Sequence, residues 1–136
     1  MKYLILSVLI IFCEILTSRA QKLIPASLAS QYIGQFKNVY GYDYESKIVR
    51  IKGQKDSFQE LVYLSDSTLK KCQFIIIITE KADPNLRGSK EFSHEELLKD
   101  KMRHRSQANG KIILFKGKPA IVVDDPENYL FFLKFD

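Results

Sequence analysis

The sequence predicts a mainly β fold in one domain, and three observations support this prediction. The chain has 136 residues, of which 46% are hydrophobic, and this is enough for one core but not for two. Two β-branched apolar runs, 112–115 and 120–123, flank the segment 116–119, whose glycine and proline are typical of a hairpin. The run 72–79 contains consecutive isoleucines, and a short, continuous apolar run of this kind predicts a buried strand.

Residues 1–20 have the composition of an export signal. A basic start is followed by a mostly apolar run over 3–16, and the small residues of Ser18-Arg19-Ala20 stand at the positions that a signal peptidase reads. The apolar run has roughly 14 residues, fewer than the 20 or so that a membrane-spanning helix needs. Because Glu14 is unusual inside such a signal, a short membrane anchor is the alternative. We expect cleavage near Ala20 and an exported mature chain, periplasmic or extracellular, without an integral membrane span.

Charge and cysteine content restrict the class of protein only weakly. The formal charge is +5, and it is +4 without residues 1–20, which hold Lys2, Arg19 and Glu14. This mild basic excess permits a polyanionic partner, although solubility alone explains it. The predicted mature chain keeps only Cys72, so it cannot form an intramolecular disulfide and depends on its apolar core. We interpret Cys72 as a half-buried strand residue rather than a reactive thiol.

The remaining elements follow from periodicity and from turn residues. In chain order they are a short helix at 25–34, a bent strand at 36–51, strands at 57–64 and 72–79, a helix from Ser93, a strand from Met102 into 112–115, and a strand at 120–123. The glycine at 41 lies inside the first strand, where it predicts a bulge or a sharp bend.

The segment from Ser93 to Lys111 contains two competing patterns. Ser93 followed by Glu96 is a capping box, which predicts the start of a helix. Residues 102–107 could be the basic last turn of that helix. Read as a strand, 102–111 places Arg103, Arg105, Gln107, Asn109 and Lys111 on one face. This alternation continues directly into Ile112, so we prefer the strand.

Five strands with a helix between the third and the fourth are the plan of an OB-fold, a small Greek-key barrel. Closing a sheet into a barrel also removes its exposed edges, which suits a small exported domain without disulfides. We therefore expect a single OB-fold domain over 21–136, with its core at about 24–129. The apolar tail 130–136 would add an extra strand or a lid.

Several short segments also carry a resemblance to a known family. They are Ile24-Pro25-Ala26-Ser27 with Ile33-Gly34, Val39-x-Gly41, and above all Gly110-Lys111-Ile112 followed by 115–123 and Pro126. In these segments the chain resembles small exported bacterial proteins that consist of one OB-fold of the nucleic-acid-binding type. The resemblance covers about residues 24–129 and implies the same barrel. The chain departs from that pattern at Lys37 and Asp43, where we expect valines.

The residues give little support for catalysis. His94 and His104 are the only histidines, and neither has metal-ligand spacing with Cys72. Asp124 and Asp125 are adjacent, so in an extended chain they point to opposite faces and cannot act as a carboxylate pair. Neither a phosphate-binding glycine loop nor a nucleophile elbow occurs. We predict a protein that is not an enzyme and that has no cofactor and no metal site.

Tyr40, Tyr42 and Tyr44 are the first candidate binding surface. In regular β-geometry their rings share one face at intervals of about 7 Å, so they could stack successive bases. The alternative is that this tyrosine ladder points into the barrel or lies under the tail, and a bulge at Gly41 would divide it between two faces.

Basic residues form the second candidate surface. In OB-folds, the loops between strands one and two and between strands four and five border the ligand groove. The candidates are Lys52, Lys55, Arg103, Arg105, Lys111, Lys116 and Lys118. A solvated charged face is the alternative interpretation.

These two surfaces lead to a functional hypothesis. The protein would be a non-catalytic, exported OB-fold binding module for single-stranded nucleic acid or another extended polyanion. Lysine and arginine would follow the phosphates while tyrosines stack on the bases. One alternative is an envelope protein-interaction or scaffold module that docks a protein partner through the tail 130–136. An oligosaccharide-binding OB domain is another.

Overall fold

A computed structural model of the protein describes residues 22–66, 71–87, 92–94 and 102–135. Within these ranges nine strands belong to one sheet, and this confirms the prediction of a mainly β fold. The sheet is not closed into a barrel. The strands are β1 (Leu23–Pro25), β2 (Phe36–Arg50), β3 (Phe58–Ser65), β4 (Phe74–Ile78), β5 (Phe92–His94), β6 (Met102–Lys111), β7 (Ile113–Phe115), β8 (Lys118–Val123) and β9 (Tyr129–Phe135). Short 3₁₀ helices cover Ala26–Tyr32, Pro84–Leu86 and Pro126–Asn128. The predicted export signal lies outside the described residues.

Strand β2 is the centre of the sheet. The strand order is β7-β8-β4-β3-β2-β6-β9, and β1 and β5 also pair with β2. On one edge, the first part of β2 pairs with β1 in parallel and the rest pairs with β3. On the other edge, the first part of β2 pairs with β6 and a later part pairs with β5. Strand β9 ends the order and pairs with β6. Strand β2 therefore pairs directly with four of the other eight described strands.

The structure confirms most of the predicted strands, with ends that shift by one or two residues. The bent first strand is β2, the two strands after it are β3 and β4, and the hairpin is β7 with β8. The segment 102–111, where helix and strand competed, is strand β6. The tail contains the extra strand β9. The predicted short N-terminal helix is present as the 3₁₀ helix Ala26–Tyr32, which buries Ala26 and Ala29.

The prediction of a helix that begins at Ser93 is wrong for the first residues of that helix. Residues 92–94 form β5, which pairs with Ser46, Lys47 and Ile48 of β2. Pairing with a neighbouring strand satisfies the backbone of this segment and overrides the local capping signal. The rest of that predicted helix, 95–101, lies outside the described residues.

The predicted bulge at Gly41 is also wrong. Gly41 pairs regularly with Ser106, and the register shifts two residues later, between Asp43 and Glu45. A Cβ atom at Gly41 would lie 3.0 Å from the Cβ of Leu64, which is closer than ordinary contact. The glycine is needed because Leu64 of β3 and Ala26 of the first 3₁₀ helix leave no ordinary space for a side chain.

Apolar clusters cover both faces of the sheet. The larger cluster defines the core face and includes Val39, Leu64, Phe74, Ile76, Ala108 and Ile121. The second cluster lies on the opposite face of β3, β4 and β8 and consists of Leu61, Ile75, Ile77 and Ala120, with Tyr63 and Cys72 packed against it. Strand β4 is buried along its whole length, as its continuous apolar run predicts. Each such side chain contributes about 1.5–3 kcal/mol through burial.

Candidate functional site

The tyrosine ladder lies on the face opposite the core. Val39 pairs with Ala108, and both belong to the core cluster. Because side chains alternate along a strand, Tyr40 and Tyr42 point to the other side, which we call the outer face. Both rings are half-buried. The structure thus removes the alternative in which these two rings fill the core.

Arg105 joins the ladder from the neighbouring strand. It pairs with Tyr42, and its guanidinium carbon lies 4.2 Å from the centroid of the Tyr40 ring. This is a cation–π contact of favourable distance. The Nε atom of Arg105 is buried without a hydrogen-bond partner, and Arg105 takes part in none of the ion pairs found among the described residues. A positive group therefore lies beside the ladder.

The register shift places Tyr44 on the outer face as well. Asp43 pairs with Leu64 and Glu45 with Tyr63, so Tyr44 is the extra residue of a β-bulge. Its ring centroid lies 6.2 Å from that of Tyr63, at an interplanar angle of 46°. The bulge therefore does not divide the ladder, because it falls at the last tyrosine, and the aromatic surface continues from β2 onto β3.

Tyr63 was not among the residues predicted to bind. The Nζ atom of Lys47 lies 5.6 Å from the centroid of the Tyr63 ring and 2.9 Å from Oε1 of Glu45. Tyr63 lies between Val62 and Leu64, which both face the core, so alternation along β3 already points its ring outward. That signal was present in the sequence, but only the bulge brings Tyr63 next to Tyr44.

Burial affects the titration of the phenols and the thiol on this surface. It raises the pKa of Tyr44 and of Tyr63, and the Tyr44 hydroxyl donates a hydrogen bond to the Cys72 thiol. Burial also raises the pKa of Cys72, although the hydrogen bond from Tyr44 acts in the opposite direction. At neutral pH the two phenols are therefore hydrogen-bond donors and stacking surfaces, and the thiol remains protonated.

The predicted basic residues do not form one cluster. Lys111 pairs with Phe36 and shares the outer face with Arg105. Arg103 occupies the position of the same parity two residues before Arg105, but its side chain lies outside the described part of the structure. The other four candidates are exposed in two turns, Lys52 and Lys55 between β2 and β3, and Lys116 and Lys118 at the tip of the β7–β8 hairpin.

These two turns lie at opposite ends of the paired strands. The β2–β3 turn follows Arg50, which pairs with Phe58 at the start of β3. Two residues further along β3, Glu60 pairs with Ile78, the last residue of β4, so the turn lies near the C-terminal end of β4. Ile78 pairs in turn with Val123, the last residue of β8, whereas the hairpin tip precedes β8. The two turns are therefore separated by most of a strand length, so the sheet brings Arg105 and Lys111 to the tyrosines and leaves the β2–β3 turn apart.

Other polar residues have structural partners. The Thr79 hydroxyl donates to Oδ1 of Asp124 at 2.6 Å, and Oδ1 of Asp125 accepts from the backbone N–H of Glu127 at 2.9 Å. Within the described ranges, no group of three or more histidine, cysteine or acidic side chains has the geometry of a metal site. The described part of the chain also contains no helix that is long and apolar enough to cross a membrane.

Comparison with known proteins gives no match: no family model, no curated protein and no solved structure corresponds to this chain.

Proposed function

We propose that the protein is a non-catalytic, exported binding module of the OB type whose outer face binds single-stranded nucleic acid. The contact between Arg105 and Tyr40 carries this proposal. A guanidinium that lies over an aromatic ring suits a ligand that combines negative charge with flat rings. Phosphates and bases meet both requirements.

The strand connections support the OB-type architecture. Strands β6 and β7 are separated only by Ile112, whose backbone N–H donates to Gln35 and whose carbonyl accepts from Gly34. Strand β6 pairs with β2, and β7 pairs with β8. If β6 and β7 are two halves of one strand, this strand pairs with β8 at one end and with β2 at the other. It then links the last strand of the sheet back to the first, as in a partly open five-stranded barrel.

Ring spacing favours a single strand over a duplex. Alternate residues of a β-strand are about 7 Å apart, which is twice the spacing of about 3.4 Å between bases in a duplex strand. A single strand can open its stack so that one base meets each of Tyr40, Tyr42 and Tyr44. Stacking of this kind contributes about 1–3 kcal/mol per base and tolerates any sequence.

Fluorescence anisotropy with a labelled oligo-dT of about 12 nucleotides tests the proposal, since OB-folds occupy about 4–16 nucleotides. We expect binding at about 50 mM salt and a steep loss by about 200 mM salt. The matched competitor is polyphosphate of the same charge, which has no bases and should compete more weakly than unlabelled oligo-dT. Absence of binding at low salt would overturn the proposal, and equal competition would remove the stacking role of the tyrosines.

The second candidate function is a protein-interaction module that uses β9. Leu130 is 48% exposed and Phe131 is 46% exposed at the end strand of the sheet. Exposed apolar residues of this kind are typical of protein contacts. Deleting residues 130–136 should abolish partner binding in this case and leave oligonucleotide binding unchanged if the first proposal holds. Loss of the folded state on deletion would instead assign β9 to the core.

A further inference from the structure

A chain of hydrogen bonds joins three strands beneath the tyrosine ladder. On the core face, the Ser106 hydroxyl of β6 donates to Oδ2 of Asp43 of β2 at 2.7 Å. The Ser106 oxygen also lies 3.1 Å from the hydroxyl of Tyr129, the first residue of β9. Because Ser106 has one hydroxyl proton and gives it to Asp43, Tyr129 is the donor in the second bond. Asp43 is thus linked through Ser106 to the end strand.

A second carboxylate lies close to this chain. Glu60 projects from β3 toward the same region, where its Oε1 accepts a hydrogen bond from the Ser46 hydroxyl at 2.6 Å. Ser46 and Ser106 are both buried. The titratable groups that face Asp43 from the described part of the chain are Glu60 on β3 and Tyr129 on β9, and no basic side chain compensates the two acids.

The surroundings of Asp43 favour its neutral form. Its Oδ1 atom is buried without a hydrogen-bond partner. An ionised carboxylate at this position would leave that oxygen without a donor and would face Glu60. Burial, and secondarily Glu60, raise the pKa of Asp43 to about 7, while the hydrogen bond from Ser106 acts in the opposite direction.

Strand β9 is the element that can move most easily to hydrate Asp43. Strand β2 is paired with β3 on one edge, and on the other edge it is paired with β6 up to Tyr42 and with β5 from Ser46, while β6 is paired with both β2 and β9. Among the described strands, β9 has only β6 as a partner. Its residue Tyr129 packs against the core cluster and ends the hydrogen-bond chain. Separation of β9 from β6 would therefore admit water to Asp43 at the smallest loss of pairing.

We propose that β9 is a proton-controlled strand, held on the sheet while Asp43 is neutral and released more often once Asp43 is ionised. This device is independent of the ligand proposed above. Its physical basis is the cost of a buried, incompletely paired carboxylate, which the open form avoids by exposing Asp43 to water. Release breaks the backbone pairing of β9 with β6.

Hydrogen exchange followed by mass spectrometry on the full chain tests this proposal. Protection of 129–135 is compared at about pH 6 and about pH 8 after correction for intrinsic exchange, and β4 serves as the internal reference. With a folded pKa of about 7, linkage gives an increase in β9 opening of about tenfold over this range. A change of less than twofold, or an equal change in β4, would overturn the proposal.

Variants separate Asp43 from other titrating groups. Asp43→Asn should remove most of the pH dependence of β9 protection, whereas Asp56→Asn, in the exposed β2–β3 turn, should retain it. Glu60→Gln keeps the oxygen that accepts from Ser46 and removes the charge, so it should shift the transition to lower pH. An unchanged transition in Glu60→Gln together with an unchanged transition in Asp43→Asn would assign the titration elsewhere and overturn the proposal.

Discussion

The guanidinium of Arg105 lies over the ring of Tyr40, a residue it does not pair with, and reaches it diagonally across β2 and β6 from its own partner Tyr42. Diagonal neighbours in an antiparallel pair are within reach of long side chains. The contact therefore fixes a cation and an aromatic ring side by side on the outer face, and this pair is the most direct target for mutation.

Two replacements of Arg105 distinguish the contribution of its charge to binding from that of its flat guanidinium group. Arg105→Lys keeps the positive charge but loses the flat group that lies over Tyr40, so we expect oligo-dT binding to weaken about 3- to 10-fold with an unchanged salt slope. Arg105→Ala should weaken binding further and reduce the salt slope by about one. Lys55→Ala, in the remote turn, is the control and should have less than a twofold effect. Anisotropy titrations over a range of salt measure all three, and equal effects of the Arg105 and Lys55 variants would contradict the assigned site.

Tyr63 should contribute to binding if the aromatic surface continues onto β3. Its ring lies 6.2 Å from that of Tyr44, so Tyr63→Leu would remove one stacking position and weaken binding by about 1–3 kcal/mol. The matched control is Tyr32→Leu, because Tyr32 packs against the core cluster on the other face. The same anisotropy assay measures both variants, with circular dichroism to check folding. Binding by folded Tyr63→Leu at the level of the unmodified protein would end the ligand surface at Tyr44.

Gly41 should tolerate no side chain without loss of stability. An added Cβ would lie 3.0 Å from the Cβ of Leu64 and 3.2 Å from the carbonyl oxygen of Ser65, and the backbone of β3 cannot move away independently. We expect Gly41→Ala to lower the free energy of unfolding by about 1–3 kcal/mol in urea denaturation. Gly53→Asn is the control, because that position has space around it and a positive φ that asparagine accepts. A loss no greater than in the control would show that β3 can shift.

Asp43 should make stability depend on pH. Its pKa is about 7 in the folded protein, compared with 3.8 for an aspartate exposed to water, so the folded state binds the proton more tightly. The stabilising contribution is complete below about pH 4, falls as the pH rises, and is lost above about pH 7. Relative to the unmodified protein, Asp43→Asn should gain about 2–3 kcal/mol between pH 5 and pH 8. Urea denaturation at several pH values measures this, and a difference that is constant with pH would contradict it.

The sequence determines the strands and the alternation within them better than it determines their partners. The alternation over 102–111 correctly predicts β6 and the shared face of Arg105 and Lys111, because a period of two is a direct consequence of β-geometry. The continuous isoleucine run correctly predicts a strand buried on both sides. In each case the pattern lies within one segment, and no distant contact is needed to interpret it.

The misjudged features depend on partners distant in the chain. The helix signal at Ser93 was overridden by pairing with β2, and Gly41 is required by Leu64 of β3 rather than by its own backbone. Asp43 stands where an apolar residue was expected, and the structure does place it on the core face. An acidic side chain is tolerated there because the hydroxyl of Ser106, 63 residues away in the chain, donates a hydrogen bond to it. A single sequence carries no signal for such pairings.

The extra residue at Tyr44 also restricts how β2 can change in length. Before it, even-numbered side chains such as Tyr42 face outward, and after it the odd-numbered Lys47 does so while Ile48 joins the core cluster. Deleting Tyr44 would restore regular pairing and leave all following side chains up to Arg50 on their present faces, because their partners in β3 stay the same. Deleting one residue elsewhere in the paired part of β2 would instead exchange the faces of the side chains that follow it. In related chains, single-residue deletions in β2 should therefore be found at this position of the strand and not at its regularly paired positions.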